Sequence, residues 1–236
     1  MADNNKENIR FGGMIYDLSI VIPVYNKWSY TKNCINDLLK LNNNNEIIIV
    51  DNASTDETQK ELEKITDVRF VYIRNNQNYL HSKGCNIGYK ASKADNVLFL
   101  NNDIKVNNNY DYWTNSIIEN CNAIVGPTMG QLDNNLNYIR EANTYLDGNS
   151  YMSGWCIASS KENWNRLDLG DGQIWNEKYF YFNDGDLSFR ARQLGILFKV
   201  VPVPVVHYRQ KSTNPANINK LYNDGRKVFI SEWGKK

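Results

Sequence analysis

The stretch Leu98-Phe99-Leu100-Asn101-Asn102-Asp103 decides the fold. Three apolar residues end abruptly in three polar ones, one of them a carboxylate. Strands of a parallel sheet covered on both faces read as continuous apolar runs rather than alternating ones. Ligands of open α/β sheets sit beyond the carboxyl ends of such strands. The run therefore predicts a buried strand that delivers Asp103 to the mouth of a cleft, where an acid can hold a metal against a diphosphate.

Working outward, the same signature recurs upstream. Leu18–Val24, Glu46–Val50 and Val68–Ile73 are further strands, the first ended near Pro23. Trp28 to Leu41 carries Cys34, Leu38 and Leu41 at helical spacing, and Ser82 to Ser92 forms a helix before the strand Asn96–Leu100. Ser54 or Thr55 can cap another helix, with Asp56 and Glu57 suiting its positive end. Strand and helix alternate at intervals of about 25 residues, the rhythm of βαβ units with right-handed crossovers.

Beyond Asn107 the pattern changes. Tyr110–Glu119 reads as a helix and Ala123–Gly126 as a short strand, while Gln131–Gly148 is turn-rich and undecided. Tyr151–Ser159 is expected to be one strand passing through Gly154, and Gly185–Leu194 a helix. Leu197–Val201 and Val203–Tyr208 are strands broken by Pro202 and Pro204, followed by an amphipathic helix over Pro215–Trp233. The expectation is an α/β fold with a mostly parallel, Rossmann-like central sheet, flanking helices and a mixed C-terminal extension. Residues 1–16 form a loose leader, 17–212 a single domain and 213–236 a helical tail.

Composition narrows the partners. With 27 Lys and Arg against 26 Asp and Glu, the net charge of +1 leaves no concentrated basic surface for nucleic acid. No apolar run reaches the roughly 20 residues of a membrane span. Met1–Gly13 is polar and lacks the apolar core of a signal peptide. Cys34, Cys85, Cys121 and Cys156 form no CxxC pair, which favours reduced thiols over a zinc site. A cytoplasmic protein, or one peripheral to a membrane, is expected.

Four carboxylates stand at predicted strand ends or loops. Asp51 directly follows Ile47–Val50, and Asp103 follows Phe99-Leu100. Asp184 and Asp186 flank Gly185 after the aromatic run Tyr179–Phe182. At a strand tip Asp51 can accept hydrogen bonds from a ribose or a base N–H, and Asp103 can ligate a divalent cation. Taken alone, each is equally a loop or turn carboxylate. Burial beside aromatics raises a carboxylate's pKa, which suits a general base. If Asp186 caps the helix or bonds to Arg190 four residues on, Asp184 is left to face the cleft; otherwise both merely start the helix. His207, which ends the strand Val203–Val206, is structural or a metal ligand, and His81 is less informative. No GxGxxG follows the first strand and no GxxxxGK[ST] occurs, so bound phosphates would need a metal and side chains to neutralise them.

In order and spacing these segments resemble the family 2 nucleotide-sugar glycosyltransferases of GT-A fold, and within them a rhamnosyltransferase-like subgroup with Asn-Asn-Asp in place of DxD. Leu18–Asn26 resembles that family's first strand, and Glu46–Asp56 its second strand and nucleotide-binding turn. Asn78 through Gly88 resembles the helix between strands three and four, and Leu100–Asp103 stands at the DxD position. Phe182–Arg190 resembles the acid motif, and Val206-His207-Tyr208 a later histidine that completes the metal site. The resemblance implies that Pro23, Tyr25 and Asp51 line the nucleotide pocket. Asp103 would hold Mn²⁺ or Mg²⁺ on the diphosphate, with His207 as second ligand. Asp184 would be the base and Trp155 would border the sugar or acceptor. Asn26, Asn52, Asn78, Lys83, Asn86, Asn102 and Asp186 are further substrate-binding candidates. Three residues depart from the family pattern: Asn101 replaces the first acid of DxD, Asn183 replaces a glutamate, and Leu80 stands where glycine is common.

The implied activity is inverting, metal-assisted transfer of a hexose or deoxyhexose from a UDP-, dTDP- or GDP-sugar to a glycan, lipid-linked or protein acceptor. Acceptor contacts are expected from Met129–Tyr151 and from the tail, whose Tyr222, Phe229 and Trp233 either dock on the core or form a homodimer. The alternatives are a non-catalytic nucleotide-sugar-binding module and, ranked lower for want of a glycine-rich loop near the first strand, a nucleotidyltransferase. A glycoside hydrolase needs two carboxyls set across a bond, which nothing in the sequence pairs.

Overall fold

The computed structural model describes residues 16–41, 43–106, 110–208 and 218–234. The expected leader, up to residue 15, and the first residues of the expected tail helix lie outside the described residues. The first apolar run forms β1 (Leu18–Val24), buried along its whole length. Helix α1 (Trp28–Leu39) and strand β2 (Asn45–Asp51) follow, then α2 (Thr58–Leu62), β3 (Phe70–Arg74), α3 (Leu80–Ala91) and β4 (Asn96–Leu100). The second half comprises β5 (Ile104–Val106), α4 (Tyr110–Ile118), β6 (Ile124–Gly126), β7 (Met129–Leu132), β8 (Tyr138–Ala142), β9 (Ser150–Met152) and β10 (Cys156–Ser160). It closes with α5 (Lys161–Arg166), α6 (Asn183–Gln193), β11 (Phe198–Val200), β12 (Val205–His207) and α7 (Ile218–Trp233).

The main sheet has the order β11-β6-β10-β4-β1-β2-β3. Strands β4, β1, β2 and β3 run parallel, as the βαβ rhythm requires, while β10 is antiparallel to both β4 and β6. Alternate residues point to opposite faces of a strand, and both faces here are apolar. Ile20, Ile22, Leu98 and Leu100 pack with α1 on one side, and Val21, Val97 and Phe99 pack with α3 on the other. Helix α3 rides unusually close: a Cβ on Gly88 would lie 2.2 Å from Val21 Cγ1.

Two sequence expectations need correction and two gaps are filled. The helix after Ser54 or Thr55 starts later, at Thr58, because Ser54 Oγ accepts from Asn26 N–H, Thr55 N–H donates to Asn26 Oδ1, and Asp56 Oδ1 takes the Thr58 N–H. Tyr151–Ser159 is two strands, not one. The chain leaves a small β8-β7-β9 sheet at Met152 and joins the main sheet at Cys156, so Ser153, Gly154 and Trp155 form a crossing segment. The undecided stretch supplies β7 and β8. Helix α5, which the sequence reading passed over, is capped by Ser160 Oγ accepting from Asn163 N–H.

The tail helix docks. Phe229 is fully buried, stacked on Phe182 and tilted against Phe189, while Trp233 meets Phe189 edge-on. All four cysteines are free and buried, and burial pushes the Cys121 and Cys156 thiols up to about 12.

Candidate active site

Strand β4 ends at Leu100, and the chain turns through Asn101 and Asn102 into Asp103. From there β5 pairs antiparallel with β12, setting His207 opposite Ile104, and Tyr208 N–H donates to the Asp103 carbonyl at 3.0 Å. This two-stranded ribbon brings His207 Nε2 to 3.2 Å from Asp103 Oδ1. Trp155 lies stacked on His207, with ring centroids 4.9 Å apart and planes 20° from parallel. The Trp155 carbonyl accepts from Asn101 N–H at 2.9 Å, because β10 continues antiparallel beside β4.

Asp184 arrives from the other side, in the first turn of α6. Its Oδ2 accepts from Gly154 N–H at 3.1 Å and its Oδ1 from Gly185 N–H at 2.9 Å. Protein encloses the carboxylate except toward the cavity. That desolvation raises its pKa above the usual range, the nearby Glu141 charge adds to the rise, and the two backbone bonds oppose it. Asp103 and Asp184 thus line one cavity of about 450 Å³. Asn101, Trp155, His207 and His81 share its walls with Asn183, and Tyr138, Glu141, Tyr151 and Tyr222 line it as well. From the expected acceptor stretch and tail, β8 and α7 therefore both reach the cavity.

Asp103 is 1% exposed, and neither carboxylate oxygen receives a hydrogen bond. A buried carboxylate without donors is costly unless a cation meets it. An oxygen and an imidazole nitrogen side by side form a donor set that suits Mn²⁺ and also admits Mg²⁺. No cluster of three or more His, Cys, Asp or Glu side chains surrounds the pair among the described residues, so substrate oxygens would have to complete the coordination.

The other candidates take various positions. Asp51 is fully buried at the end of β2, where its carboxylate accepts from Ser54 N–H (2.8 Å) and Tyr72 O–H (2.9 Å) and pairs with Arg74. Asn26 holds the loop after β2 through Thr55 and Asp56 N–H groups. Asn52 donates to the Leu80 carbonyl at 3.1 Å and accepts from Asn75. Pro23 is buried beneath Gly84, and Tyr25 is exposed at 39%. Asn78 Oδ1 accepts from Leu80 N–H at the start of α3, and Lys83 sits over the Tyr79 ring, 3.9 Å from Glu177.

Of the substrate-binding candidates, Trp155 alone lines this cavity, and Asn86, Asn102 and Asp186 are bonded to protein. Asn86 binds the Trp175 backbone, accepting from its N–H at 2.9 Å and donating to its carbonyl at 2.8 Å. Asn102 donates to Thr31 Oγ1 at 2.9 Å. Asp186 accepts from Arg190 Nε at 2.9 Å and from Trp233 Nε1 at 3.2 Å, so it pins α7 to α6.

His81, which the sequence left as less informative, lines the cavity, as do Glu141 and Ser153, which it did not single out. His81 meets Trp175 edge-on at 5.3 Å, and Asn183 Nδ2 lies 3.1 Å from its Nδ1. Burial holds its pKa down at about 4, so the ring is neutral at pH 7. The available signal was its place one residue after the anomalous Leu80, in a segment resembling the donor-side helix.

Comparisons with known proteins point the same way. Residues 19–162 match the family model described as Glycosyl transferase family 2. Over 104 residues the chain is 34% identical to the UDP-Glc:alpha-D-GlcNAc-diphosphoundecaprenol beta-1,3-glucosyltransferase WfaP of Escherichia coli, covering 44% of this chain and 39% of that protein. The amylovoran biosynthesis glycosyltransferase AmsB of Erwinia amylovora is 26% identical over 217 residues, covering 80% of this chain and 68% of that one. Among solved structures, S. aureus TarS 1-349 in complex with UDP-GlcNAc superposes with a TM-score of 0.63 at 16% identity, covering 88% of this chain and 64% of that chain. The mannosyltransferase PcManGT from Pyrobaculum calidifontis, in complex with GDP-Man and Mn²⁺, gives 0.58 at 13% identity, covering 80% and 55%. The chain thus spans about two fifths of WfaP and between half and two thirds of the two solved chains. At such identities the solved structures speak for the fold alone, an α/β sheet of GT-A type.

Proposed function

The chain belongs to glycosyl transferase family 2, and from that membership we propose that it transfers a sugar, with inversion, from a nucleoside-diphosphate sugar to an acceptor hydroxyl. The observation that carries this reading is the convergence of Asp103 and Asp184 on one cavity from opposite walls. One carboxylate lacks any donor and sits beside an imidazole, as a site for a cation and phosphates would. The other is held by two backbone N–H groups with a raised pKa, as a base would be.

In this reading the diphosphate lies against Asp103 and His207, and the nucleotide extends toward Tyr25 and the ends of β1 and β2. The sugar borders Trp155, and the acceptor enters past Tyr138, Tyr151 and Tyr222. Asp184 takes the acceptor hydroxyl proton while that oxygen attacks the anomeric carbon. The O–H bond and the anomeric C–O bond break, the glycosidic C–O bond forms, and the electron pair leaves with the nucleoside diphosphate. General-base help of this kind is worth about 10² to 10⁴ in rate, and alignment of two bound substrates about 7–11 kcal/mol. Asp103 and His207 would hold a divalent metal, Mn²⁺ or Mg²⁺, which supplies Lewis-acid charge stabilisation when bound.

WfaP's name specifies a lipid-diphosphate-linked acceptor. A glycan or lipid-linked glycan is accordingly the acceptor class to test first, with a protein acceptor behind it. No described helix is long and apolar enough to cross a membrane. The test is a thermal-shift screen of UDP-, dTDP- and GDP-sugars with and without Mn²⁺, followed by product analysis. Metal-dependent stabilisation and release of a nucleoside diphosphate are expected. Binding without any turnover would leave a binding module, and release of pyrophosphate would make the protein a nucleotidyltransferase.

A further inference from the structure

A second cavity, also of about 450 Å³, adjoins the first. Trp155, His207 and Glu141 line both, so these three side chains form the rim between them. The second cavity lies past the ends of the parallel strands β6 and β11, next to Thr128 and Pro202. In the main sheet β10 and β4 separate these strands from β1, β2 and β3. The cavity is therefore on the far side of Asp103 from the strand ends toward which the nucleotide extends, which places it with the acceptor.

Its walls combine the apolar surfaces of Pro202, Val203 and Val205 with the hydroxyl of Thr128 and the amide of Asn143. Apolar walls with a few placed polar groups are the general form of a small-molecule pocket, and a sugar ring offers C–H surface and hydroxyls to both. Glu141 decides between possible occupants. Thr128 Oγ1 and Ser153 Oγ donate to its Oε1 at 2.8 and 2.9 Å, which fixes the carboxylate at the rim. An ionised carboxylate only accepts hydrogen bonds. Sugar hydroxyls can donate to it, whereas a diphosphate brings acceptor oxygens and like charge and is repelled.

We propose that the second cavity is an acceptor subsite for a neutral sugar. The sugar bearing the attacking hydroxyl occupies the first cavity, the next sugar of the same acceptor lies beyond the rim, and Glu141 accepts from hydroxyls at the junction. The acceptor is then an oligosaccharide rather than a single sugar on a diphosphate, so another glycosyl transfer must come before this one. The assignment rests on the glycosyltransferase reading.

The test uses the nucleotide-sugar that stabilises the protein in the thermal-shift screen. The probes are methyl glycosides of glucose, galactose, N-acetylglucosamine and rhamnose, methyl glycosides of disaccharides ending in the same sugars, and N-acetylglucosamine diphosphate on a short alkyl chain. The best disaccharide is expected to exceed its matched monosaccharide in kcat/KM by about tenfold or more, the worth of one hydrogen bond to a charged group. It is also expected to exceed the diphosphate probe. Pro202→Trp, at an exposed position, fills the second cavity and should bring the disaccharide-to-monosaccharide ratio toward one. A ratio measured within one preparation does not depend on how much of it folds, and Asn143→Trp, also exposed, is a second plug. Glu141→Gln keeps the shape and removes the charge, and should raise use of the diphosphate probe relative to the disaccharide by about tenfold. Equal use of disaccharides and monosaccharides, a wild-type preference for the diphosphate probe, or a ratio that neither plug lowers overturns the subsite. Acceptor-free hydrolysis of the nucleotide-sugar is measured alongside. With that hydrolysis present, these outcomes sink the subsite alone; no release of nucleoside diphosphate from any nucleotide-sugar sinks the glycosyltransferase reading and the subsite with it.

Discussion

The backbone N–H of Gly154 donates to Asp184 Oδ2 at 3.1 Å, which ties the candidate base to the segment that carries Trp155. The next carbonyl along, that of Trp155, accepts from Asn101 N–H at 2.9 Å, and the Trp155 ring covers His207. A two-residue stretch of backbone thus spans the cavity from Asp184 to Asn101 and His207.

Gly154→Ala tests that span. The added Cβ would lie 3.0 Å from Asp184 Cβ and 3.1 Å from Trp175 Cη2, and Trp175 is fully buried with little room to give. Overpacking of this kind costs about 1–3 kcal/mol. The expected outcome is a modestly lowered melting temperature and a loss of kcat of about tenfold or more, because small misplacements of reacting groups are expensive. Full activity would show that Asp184 does not depend on the Gly154 contact.

Asp184→Asn is expected to lower transfer by about 10² to 10⁴ while leaving donor affinity near wild type. Burial raises the Asp184 pKa, and the base works only when deprotonated. Activity should therefore rise with pH through a limb displaced upward from the ordinary carboxylate value of about 3.9. By linkage, the folded state loses stability as pH rises from the ordinary carboxylate value through that raised pKa, and the loss levels off above it. The Asn variant should accordingly gain stability relative to wild type as pH rises. Denaturation and kcat/KM profiles from pH 4 upward check both trends, and an unshifted acid limb would remove Asp184 from the role of base.

Asp103→Asn separates binding from folding. A buried polar group without a partner costs about 1–3 kcal/mol, and both Asp103 oxygens are in that state. The metal-free variant should melt no lower than wild type near pH 8. It should also lose the stabilisation that Mn²⁺ with a nucleoside diphosphate gives wild type. A clearly less stable metal-free variant would mean that the carboxylate supports the fold instead.

Leu80→Gly probes the departure at the start of α3. Leu80 has φ 66° and is 41% exposed. A left-handed conformation costs a non-glycine residue about 1–2 kcal/mol, partly offset by the extra chain entropy glycine loses on folding, about 0.5–1 kcal/mol. Chemical denaturation should find Leu80→Gly equal to or slightly more stable than wild type. Leu80→Val, β-branched at the same φ, should be less stable than either.

Much of the fold was legible because apolar period and turn residues act locally. The runs around Val21, Ile48 and Leu98 could bury both faces only as central parallel strands. Gly154 misled the reading of Tyr151–Ser159 because a glycine within an apolar run marks either a bulge or a crossing, and which one depends on the sheets it joins. For Asp186 the i,i+4 spacing to Arg190 foretold the ion pair, but no local signal foretold Trp233 as its second partner. The amides of Asn86 and Asn102 looked like ligand contacts. They are turned to Trp175 and Thr31, residues brought near only by folding.

Sequence by itself determined the parallel strands of the first half and which acids stand at their ends, since hydrophobic periodicity and strand tips are properties of neighbouring residues. Tertiary structure alone decided that Asp103 and Asp184 share a cavity, that His207 faces Asp103, and that Asn183 meets His81. Those relationships link positions about 80 to 104 residues apart. The direction of a hydrogen bond or the desolvation of a carboxylate exists only once the groups around it have been assembled.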